Sequence, residues 1–144
     1  MQIDTVDISG KAKRMVYLWN KISQQRPGLT MWAKARIVSE KIGCVLKKLP
    51  LNEYHRDDLH VLGQTNGRTL HVRKLKDSLV EAFTFFHEVG HVVLHYGTEN
   101  RHRYFSKVQL EKEADQYSIL VCCELWPQYA EKIKQFALDN PVYN

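Results

Sequence analysis

The segment from Phe83 to Tyr96 is the most apolar part of the chain and also the richest in histidine. It reads FTFFHEVGHVVLHY, and three of the seven histidines of the chain stand four residues apart within it, at His87, His91 and His95. Residues four apart lie on one face of an α-helix. The segment therefore predicts a helix, from about residue 78 to residue 96, that packs apolar side chains into the core and carries a row of imidazoles.

The first two of these histidines have the spacing of a metal site. His87 and His91 lie one helical turn apart, so that two imidazoles can bind one zinc ion. Glu88 is one residue further round the helix, within reach of a water that the metal would acidify. This H-E-x-x-H pattern is a metallopeptidase signature. It predicts one Zn2+ site with His87 and His91 as ligands and Glu88 as the catalytic residue. His95, a turn further on, could touch the edge of the site, but a structural role is expected for it.

Zinc needs a third protein ligand, and the next predicted helix supplies candidates. Glu111 and Asp115 are four residues apart and share one face of that helix, whereas Glu113 points away from it. We expect Glu111 to bind the metal and Asp115 to hold a ligand histidine through its second ring nitrogen. Glu113 stays open as an alternative third ligand. A site of two histidines and one carboxylate also leaves other divalent metals open.

The rest of the chain shows both helical and strand patterns. Asn66 and Gly67 favour a hairpin turn, because both residues tolerate positive φ. The other predicted elements are helices at about residues 11–25, 107–125 and 128–138, a helix that Thr30 caps and that includes Ala33, Ile37 and Ile42, and strands at residues 59–63 and 69–73. His60 and His71 belong to these strands and are not expected to bind metal.

These elements predict one small α+β domain of residues 1–144, with a loose start at residues 1–10. In this domain a short antiparallel sheet packs against the H-E-x-x-H helix and against the second metal-ligand helix.

Cysteine content, hydropathy and charge narrow the setting. Cys44, Cys122 and Cys123 are an odd number with one adjacent pair, which favours buried free thiols in a reducing cytoplasm. No run of about 18 apolar residues is present, so no membrane span is expected, and the polar N-terminus is unlike a signal peptide. The formal net charge of +5 comes from scattered Lys and Arg residues. Direct nucleic-acid binding is therefore not expected.

Three stretches, taken in order, are similar to one known family. They read GRTLHV at residues 67–72, FTFFHEVGHVVLH at residues 83–95 and EKEADQYS at residues 111–118. The set resembles the ImmA/IrrE-type metallopeptidases, which show a strand hairpin, a histidine helix and a second helix with the pattern ExEAxxFA. The resemblance covers roughly residues 55–125, so this region is the expected core of the motif.

The resemblance implies a zincin-like fold of the gluzincin type and a zinc endopeptidase activity. It matches His87, His91 and Glu111 to the zinc ligands. It matches Glu88 to the catalytic glutamate and Asp115 to an acidic residue behind the ligands. Members of this family cleave helix-turn-helix repressors, often encoded by phages or mobile elements, so the implied partner is a transcriptional repressor.

The chain departs from the family pattern in two places. Tyr117 and Ser118 replace the usual Phe and Ala, and residues 121–127 replace a leucine-rich stretch. These departures bear on the choice of substrate more than on catalysis.

Two functions from different classes follow. The first is a zinc-dependent endopeptidase, a hydrolase of one specific protein partner, in which a loop residue donates to the oxyanion. The candidates for that donor are Arg101, His102 and Tyr104. The alternative is a zinc-stabilised module that sequesters a regulator without cleaving it. Glu88 argues against the alternative, because a structural zinc site needs no base. The oligomeric state, the activating signal and the scissile bond do not follow from the sequence.

Overall fold

A computed structural model describes residues 6–49, 63–73, 77–97 and 100–139 of the chain. Within these ranges the elements follow one another in the order α1 (Ile8–Gln25), α2 (Met31–Lys41), β1 (Val45–Leu49), β2 (Gly63–Thr65), β3 (Thr69–Arg73), α3 (Ser78–His95), a 3-10 turn (Arg101–Arg103), α4 (Lys107–Leu125), a second 3-10 turn (Pro127–Tyr129) and α5 (Ala130–Asp139). The α+β class that the sequence predicted is confirmed. No helix in the described part of the chain has the length and apolar character that crossing a membrane requires.

The α3 helix is the centre of the fold. All of its residues from Glu81 to Gly90 are buried, because it packs along α4 on one side and against β2 and β3 on another. A helix that is apolar around most of its circumference is stable only when it is enclosed in this way. The histidines of α3 therefore project from a helix that has little freedom to move.

Aromatic rings hold α3 against the first and last helices. Trp19 of α1 meets Phe86 of α3 edge to face, with 5.2 Å between the ring centroids. Trp19 also meets Trp126, which follows α4, at 6.2 Å. Phe83 meets Phe136 of α5 at 5.3 Å in the same manner. Buried edge-to-face pairs add to the free energy that the buried area itself supplies, so these contacts fix the position of α3.

The α3 and α4 helices lie close together at Gly90. A Cβ atom at this position would lie 2.9 Å from Cδ1 of Tyr117, which is too short for a contact between two carbon atoms. Gly90 stands between His87 and His91 in the sequence, and Tyr117 follows Glu111 by six residues. The missing side chain at residue 90 therefore sets the distance between the two helices near the predicted metal ligands.

The capping side chains define where these two helices begin. The Asp77 carboxylate accepts hydrogen bonds from the backbone N–H of Leu79 at 2.9 Å and of Val80 at 3.2 Å. The Ser106 hydroxyl accepts one from the backbone N–H of Gln109 at 3.2 Å. Such caps satisfy N–H groups that have no partner inside the helix. At the other end of the described chain, Asp7 caps α1, so this helix begins within the expected loose start.

The sheet is mixed, whereas the sequence predicted an antiparallel one. The β2 and β3 strands pair antiparallel, with Gly63 opposite Val72. The β1 strand, which the sequence analysis did not predict, pairs parallel to β3. Its sequence VLKKL lacks the alternation of apolar and polar residues that identifies a strand, because the adjacent Lys47 and Lys48 are both exposed on the edge of the sheet. Lysine is common on edge strands, where it discourages pairing with other chains.

The predicted hairpin turn joins β2 to β3. Gly67 takes a φ of 93°, the left-handed value that glycine tolerates. Asn66 contributes in another way, because its side-chain oxygen accepts hydrogen bonds from the backbone N–H of Arg68 and Thr69, both at 2.9 Å. Of the strand predicted at residues 59–63, residues 59–62, with His60, lie outside the described residues.

Candidate metal centre

Side chains of α3 and α4 bring three metal-binding atoms together. His87 Nε2 lies 3.2 Å from His91 Nε2. Glu111 Oε2 lies 2.7 Å from His87 Nε2 and 3.0 Å from His91 Nε2. All three atoms fall within 4.8 Å of one another, as in a group that could hold a metal ion. We call His87, His91 and Glu111 the metal cluster.

The spacing and the chemistry of the metal cluster fit a small divalent ion. Zinc binds histidine nitrogen and carboxylate oxygen at about 2.0–2.2 Å in tetrahedral sites, which puts neighbouring ligand atoms roughly 3.3 Å apart. The separations here are 2.7–3.2 Å. A small outward movement of the three side chains would therefore admit such an ion.

Asp115 lies behind the first histidine, on the side away from the metal cluster. Its Oδ1 atom is 2.7 Å from His87 Nδ1. Asp115 is buried together with His87, so the contact is shielded from water. A carboxylate in this position orients the imidazole and directs Nε2 towards the other two ligand atoms. Asp115 thus contacts the second ring nitrogen of His87, and its role behind a metal ligand stays a prediction.

The charges of the metal cluster depend on one another. Burial opposes the charged form of His87, but hydrogen bonds to Asp115 and Glu111 outweigh burial and raise the pKa of His87 to about 10. Burial also opposes the charged form of Glu111, and hydrogen bonds from His87 and His91 nevertheless hold its pKa well below the ordinary range. In the metal-free protein a proton on His87 therefore supplies positive charge that a divalent ion would otherwise supply.

Glu88 is buried beside the metal cluster. Burial raises the pKa of Glu88, although the nearby His87 and His91 act in the opposite direction. The backbone of β2 passes close to this side chain. A Cβ atom on Gly63 would lie 3.0 Å from Cγ and from Oε2 of Glu88. Glycine at the start of β2 therefore leaves the space that the Glu88 carboxylate occupies.

A second group of charged side chains links α3 to α4 further along both helices. Glu113 Oε2 accepts a hydrogen bond from Arg101 Nη2 at 2.5 Å, and Glu113 Oε1 accepts one from Arg101 Nε at 3.3 Å. Glu113 Oε1 is also 3.0 Å from His95 Nε2. All three residues are buried. We call Arg101, Glu113 and His95 the arginine cluster.

The Glu113 side chain lies in the arginine cluster and not in the metal cluster. The sequence left it open as a third metal ligand, and the structure does not bring it to the metal cluster. Besides its contacts in the arginine cluster, it accepts a hydrogen bond from Gln109 Nε2 at 2.9 Å. Burial opposes its charge, but the hydrogen bonds from Arg101 and Gln109 outweigh burial and lower the pKa of Glu113.

One contact joins the two clusters. His95 Nδ1 lies 3.0 Å from His91 Nδ1. Burial and the neighbouring His91 lower the pKa of His95 to about 4, so His95 is neutral near pH 7. His95 is completely buried, and a structural role was expected for it from the sequence. The structure places it directly behind a residue of the metal cluster.

The three loop candidates for an oxyanion donor occupy different surroundings. Arg101 is fully buried and pairs with Glu113, so its guanidinium is engaged one turn away from the metal cluster. His102 stacks on Tyr96, with 4.2 Å between the ring centroids, and its Nδ1 lies 2.9 Å from the carbonyl oxygen of His95. Tyr104 is exposed. Oxyanion donation by His102 or Tyr104 stays a prediction.

Sequence reasoning missed Arg101 and Gln109 as partners of Glu113. One signal was available, because Gln109 and Glu113 are four residues apart and so face each other on a helix. The contact with Arg101 had no such signal. It depends on how the 3-10 turn folds back onto α4, and the sequence alone does not show this.

A comparison with protein families agrees with the geometry. The model of the family Peptidase_M78, described as the IrrE N-terminal-like domain, matches residues 39–130, which is more than half of the chain. The matched range contains every residue of the metal cluster and of the arginine cluster. Neither the curated proteins nor the solved structures gave a match. The metallopeptidase character of this family accords with a site that offers two histidines and a glutamate to a metal ion, and the chain belongs to the Peptidase_M78 family, the IrrE N-terminal-like domain.

Proposed function

We propose that the protein is a zinc-dependent endopeptidase that cleaves a specific protein partner. The observation that carries the proposal is the convergence of His87, His91 and Glu111 from α3 and α4, with the buried Glu88 beside them. Membership of a peptidase family supports a metallopeptidase type of function. The choice of zinc rests on the ligand types and their spacing.

The metal cluster would hold the ion through His87 Nε2, His91 Nε2 and a carboxylate oxygen of Glu111. A bound zinc ion acidifies water and polarises a peptide carbonyl. Asp115 keeps the His87 ring in place from behind, at 2.7 Å. Two ligands from one rigid helix and a third from its neighbour give a site whose shape is fixed before the ion binds.

Glu88 is the proton carrier in this proposal. Its carboxylate accepts a proton from the attacking water and later delivers it to the leaving amine. A carboxylate must hold the proton for a time between these two steps. Burial raises the pKa of Glu88, which favours the protonated form over that of an exposed glutamate. The environment of Glu88 therefore suits both halves of the task.

The neighbouring strand suits a peptide substrate in an extended conformation. Within the described sheet the strand order is β1-β3-β2, so β2 is an edge strand. Gly63 of β2 lies against Glu88. An extended peptide can pair with such an edge through backbone hydrogen bonds, which would bring its carbonyl groups near Glu88.

We further propose that residues 1–144 act as one domain in the cytoplasm, and the free thiols Cys44, Cys122 and Cys123 agree with a reducing compartment.

The proposed partner is a transcriptional repressor of the helix-turn-helix class. Support for this choice comes from the resemblance to ImmA/IrrE-type enzymes. The protein encoded next to this chain is the first substrate to test.

The test is incubation of the zinc-loaded protein with that neighbour, followed by intact mass measurement of both chains. We expect wild-type protein to cut its partner at one position. Glu88→Gln should keep the zinc and lower the cleavage rate at least 100-fold, because general acid–base catalysis contributes about 100- to 10,000-fold. Glu124→Gln, which removes an exposed glutamate of α4, should cut at the wild-type rate.

Two outcomes would count against the proposal. Cleavage by Glu88→Gln at the wild-type rate would show that Glu88 is not the catalytic residue. A stable complex of two uncut chains with wild-type protein would instead support a binding module that sequesters its partner.

A further inference from the structure

Arg101 lies outside the metal cluster, yet a continuous chain of hydrogen bonds joins it to the ligand His91. Arg101 binds Glu113 through Nη2 and Nε. Glu113 Oε1 is 3.0 Å from His95 Nε2, and His95 Nδ1 is 3.0 Å from His91 Nδ1. Arg101 and His95 are completely buried, and the Arg101 guanidinium also lies 4.0 Å from the centre of the Phe105 ring. Water cannot readily replace any member of this chain.

The hydrogen bonds of this chain fix the orientation of its rings. Glu113 accepts from Arg101 and Gln109, and His95 Nε2 carries the hydrogen that points at it. The other nitrogen of His95, Nδ1, faces His91 Nδ1 at 3.0 Å, and one of these two nitrogens donates to the other. Held in this way, His91 turns Nε2 towards His87 and Glu111.

We propose that Arg101 is a positioning residue for the metal ligand His91 and acts through Glu113 and His95. Arg101 keeps Glu113 in place, Glu113 fixes the ring orientation of His95, and His95 fixes that of His91. This inference rests on the metal centre of the proposed function. It adds that the readiness of His91 to bind a metal is set by a guanidinium outside the metal cluster.

The test compares zinc affinities of full-length variants by competition with a chelator. Removing a residue that orients a metal ligand costs about 10- to 100-fold in affinity. We expect Arg101→Met to bind zinc about tenfold more weakly than wild type. Arg101→Lys, which keeps the charge without the two-point contact, should recover part of this loss. Arg103→Met is the matched control, because Arg103 lies in the same 3-10 turn and is exposed, and it should bind zinc like wild type.

Loss of fold and loss of positioning are separated by further measurements. Circular dichroism of each metal-free variant shows whether it is folded. If Arg101→Met does not fold, Arg101→Lys and His95→Phe decide the matter. His95→Phe leaves the pair of Arg101 and Glu113 intact and should also lose about tenfold in zinc affinity. Wild-type protein should show nitrogen–nitrogen coupling across the hydrogen bond between His91 Nδ1 and His95 Nδ1 in NMR spectra.

The outcomes distinguish this inference from the proposed function. If wild-type protein binds no zinc, the metal centre itself is wrong. If wild-type binds zinc and the folded Arg101 and His95 variants bind it equally well, only the positioning role is overturned. The absence of a hydrogen bond between His91 Nδ1 and His95 Nδ1 in the metal-free protein would overturn it as well.

Discussion

The metal cluster and the arginine cluster both connect α3 to α4, but they differ in their source of positive charge. Each joins a histidine of α3 to a glutamate of α4, through His87 and Glu111 in one case and His95 and Glu113 in the other. In the arginine cluster, Arg101 neutralises Glu113. Glu111 of the metal cluster and the neighbouring Glu88 and Asp115 supply three carboxylates. Within the described residues, no lysine or arginine forms an ion pair with any of them.

This difference separates a group that balances its own charge from one that does not. Buried charges are retained when each has a partner, because an unpaired charge is costly away from water. The arginine cluster satisfies this condition with its own side chains. The metal cluster satisfies it only by keeping a proton on His87 or by binding a cation. A buried site that needs an external positive charge is a candidate for metal binding and catalysis.

The largest effect is expected from exchanging glutamate for glutamine at equivalent places in the two clusters. Glu111→Gln removes a ligand and should weaken zinc binding by at least about 100-fold, which is the upper end of the loss for residues that only orient ligands. It should change the free energy of unfolding of the metal-free protein by about 1 kcal/mol, because the side chain is partly exposed.

Glu113→Gln should show the opposite balance. It leaves Arg101 buried without a counter-charge, and breaking a buried pair in this way costs about 3–5 kcal/mol. Urea denaturation of the metal-free protein measures this loss, and chelator competition measures zinc affinity. The comparison fails if Glu111→Gln proves the more destabilising variant or if Glu113→Gln loses more zinc affinity.

A comparable effect is expected from pH on the metal-free protein. The pKa of His87 is about 10, above its ordinary value of 6.5. The folded state thus binds this proton more tightly than the unfolded state. The stabilisation is complete below about pH 6.5 and is lost as the pH rises through about 10. The free energy of unfolding should fall by up to about 1.4 kcal/mol per pH unit in this interval.

Two variants show which cluster causes this slope. His87→Gln should abolish it. His95→Gln should keep it, because the pKa of His95 is about 4 and the residue is neutral throughout the interval. Urea denaturation at several pH values gives the slope. An equal slope in wild type and His87→Gln would show that the proton on His87 does not cause the pH dependence.

The smallest effect is expected from Tyr117, which contacts neither cluster. Its hydroxyl is buried and has no hydrogen-bond partner among the residues that the structure describes, and burial raises the pKa of Tyr117. Tyr117→Phe removes this hydroxyl, so the free energy of unfolding should rise by about 1 kcal/mol, with unchanged zinc affinity. Tyr129→Phe, at a partly exposed tyrosine, should change neither quantity. A loss of stability in Tyr117→Phe would mean that the hydroxyl has a partner in solution.

Local spacing explains why so much of the metal cluster was predictable. Residues four apart on a helix face the same way whatever surrounds them, so His87 with His91, and Glu111 with Asp115, could be grouped from the sequence. The pairing of the two helices followed from the need of zinc for a third protein ligand, and the family resemblance implied the same ligands. The α+β class followed from the alternation of helical and strand patterns.

The contacts that were not predicted depend on packing between distant segments. Arg101 reaches Glu113 only because the 3-10 turn folds back onto α4. The β1 strand forms because it pairs with β3, although its two lysines obscure the alternation that identifies strands. In both cases the interaction joins two different elements, whereas hydrophobic periodicity describes one element at a time.

The close approach of α3 and α4 at Gly90 has a consequence for the size of the ion. Because no side chain stands between the helices there, the ligand atoms of His87, His91 and Glu111 come within 2.7–3.2 Å of one another. Calcium needs six to eight oxygen ligands at about 2.3–2.6 Å, which such a narrow triangle of two nitrogens and one oxygen does not offer. The close helix spacing at this glycine gives a ligand set that suits ions of the first transition row better than calcium.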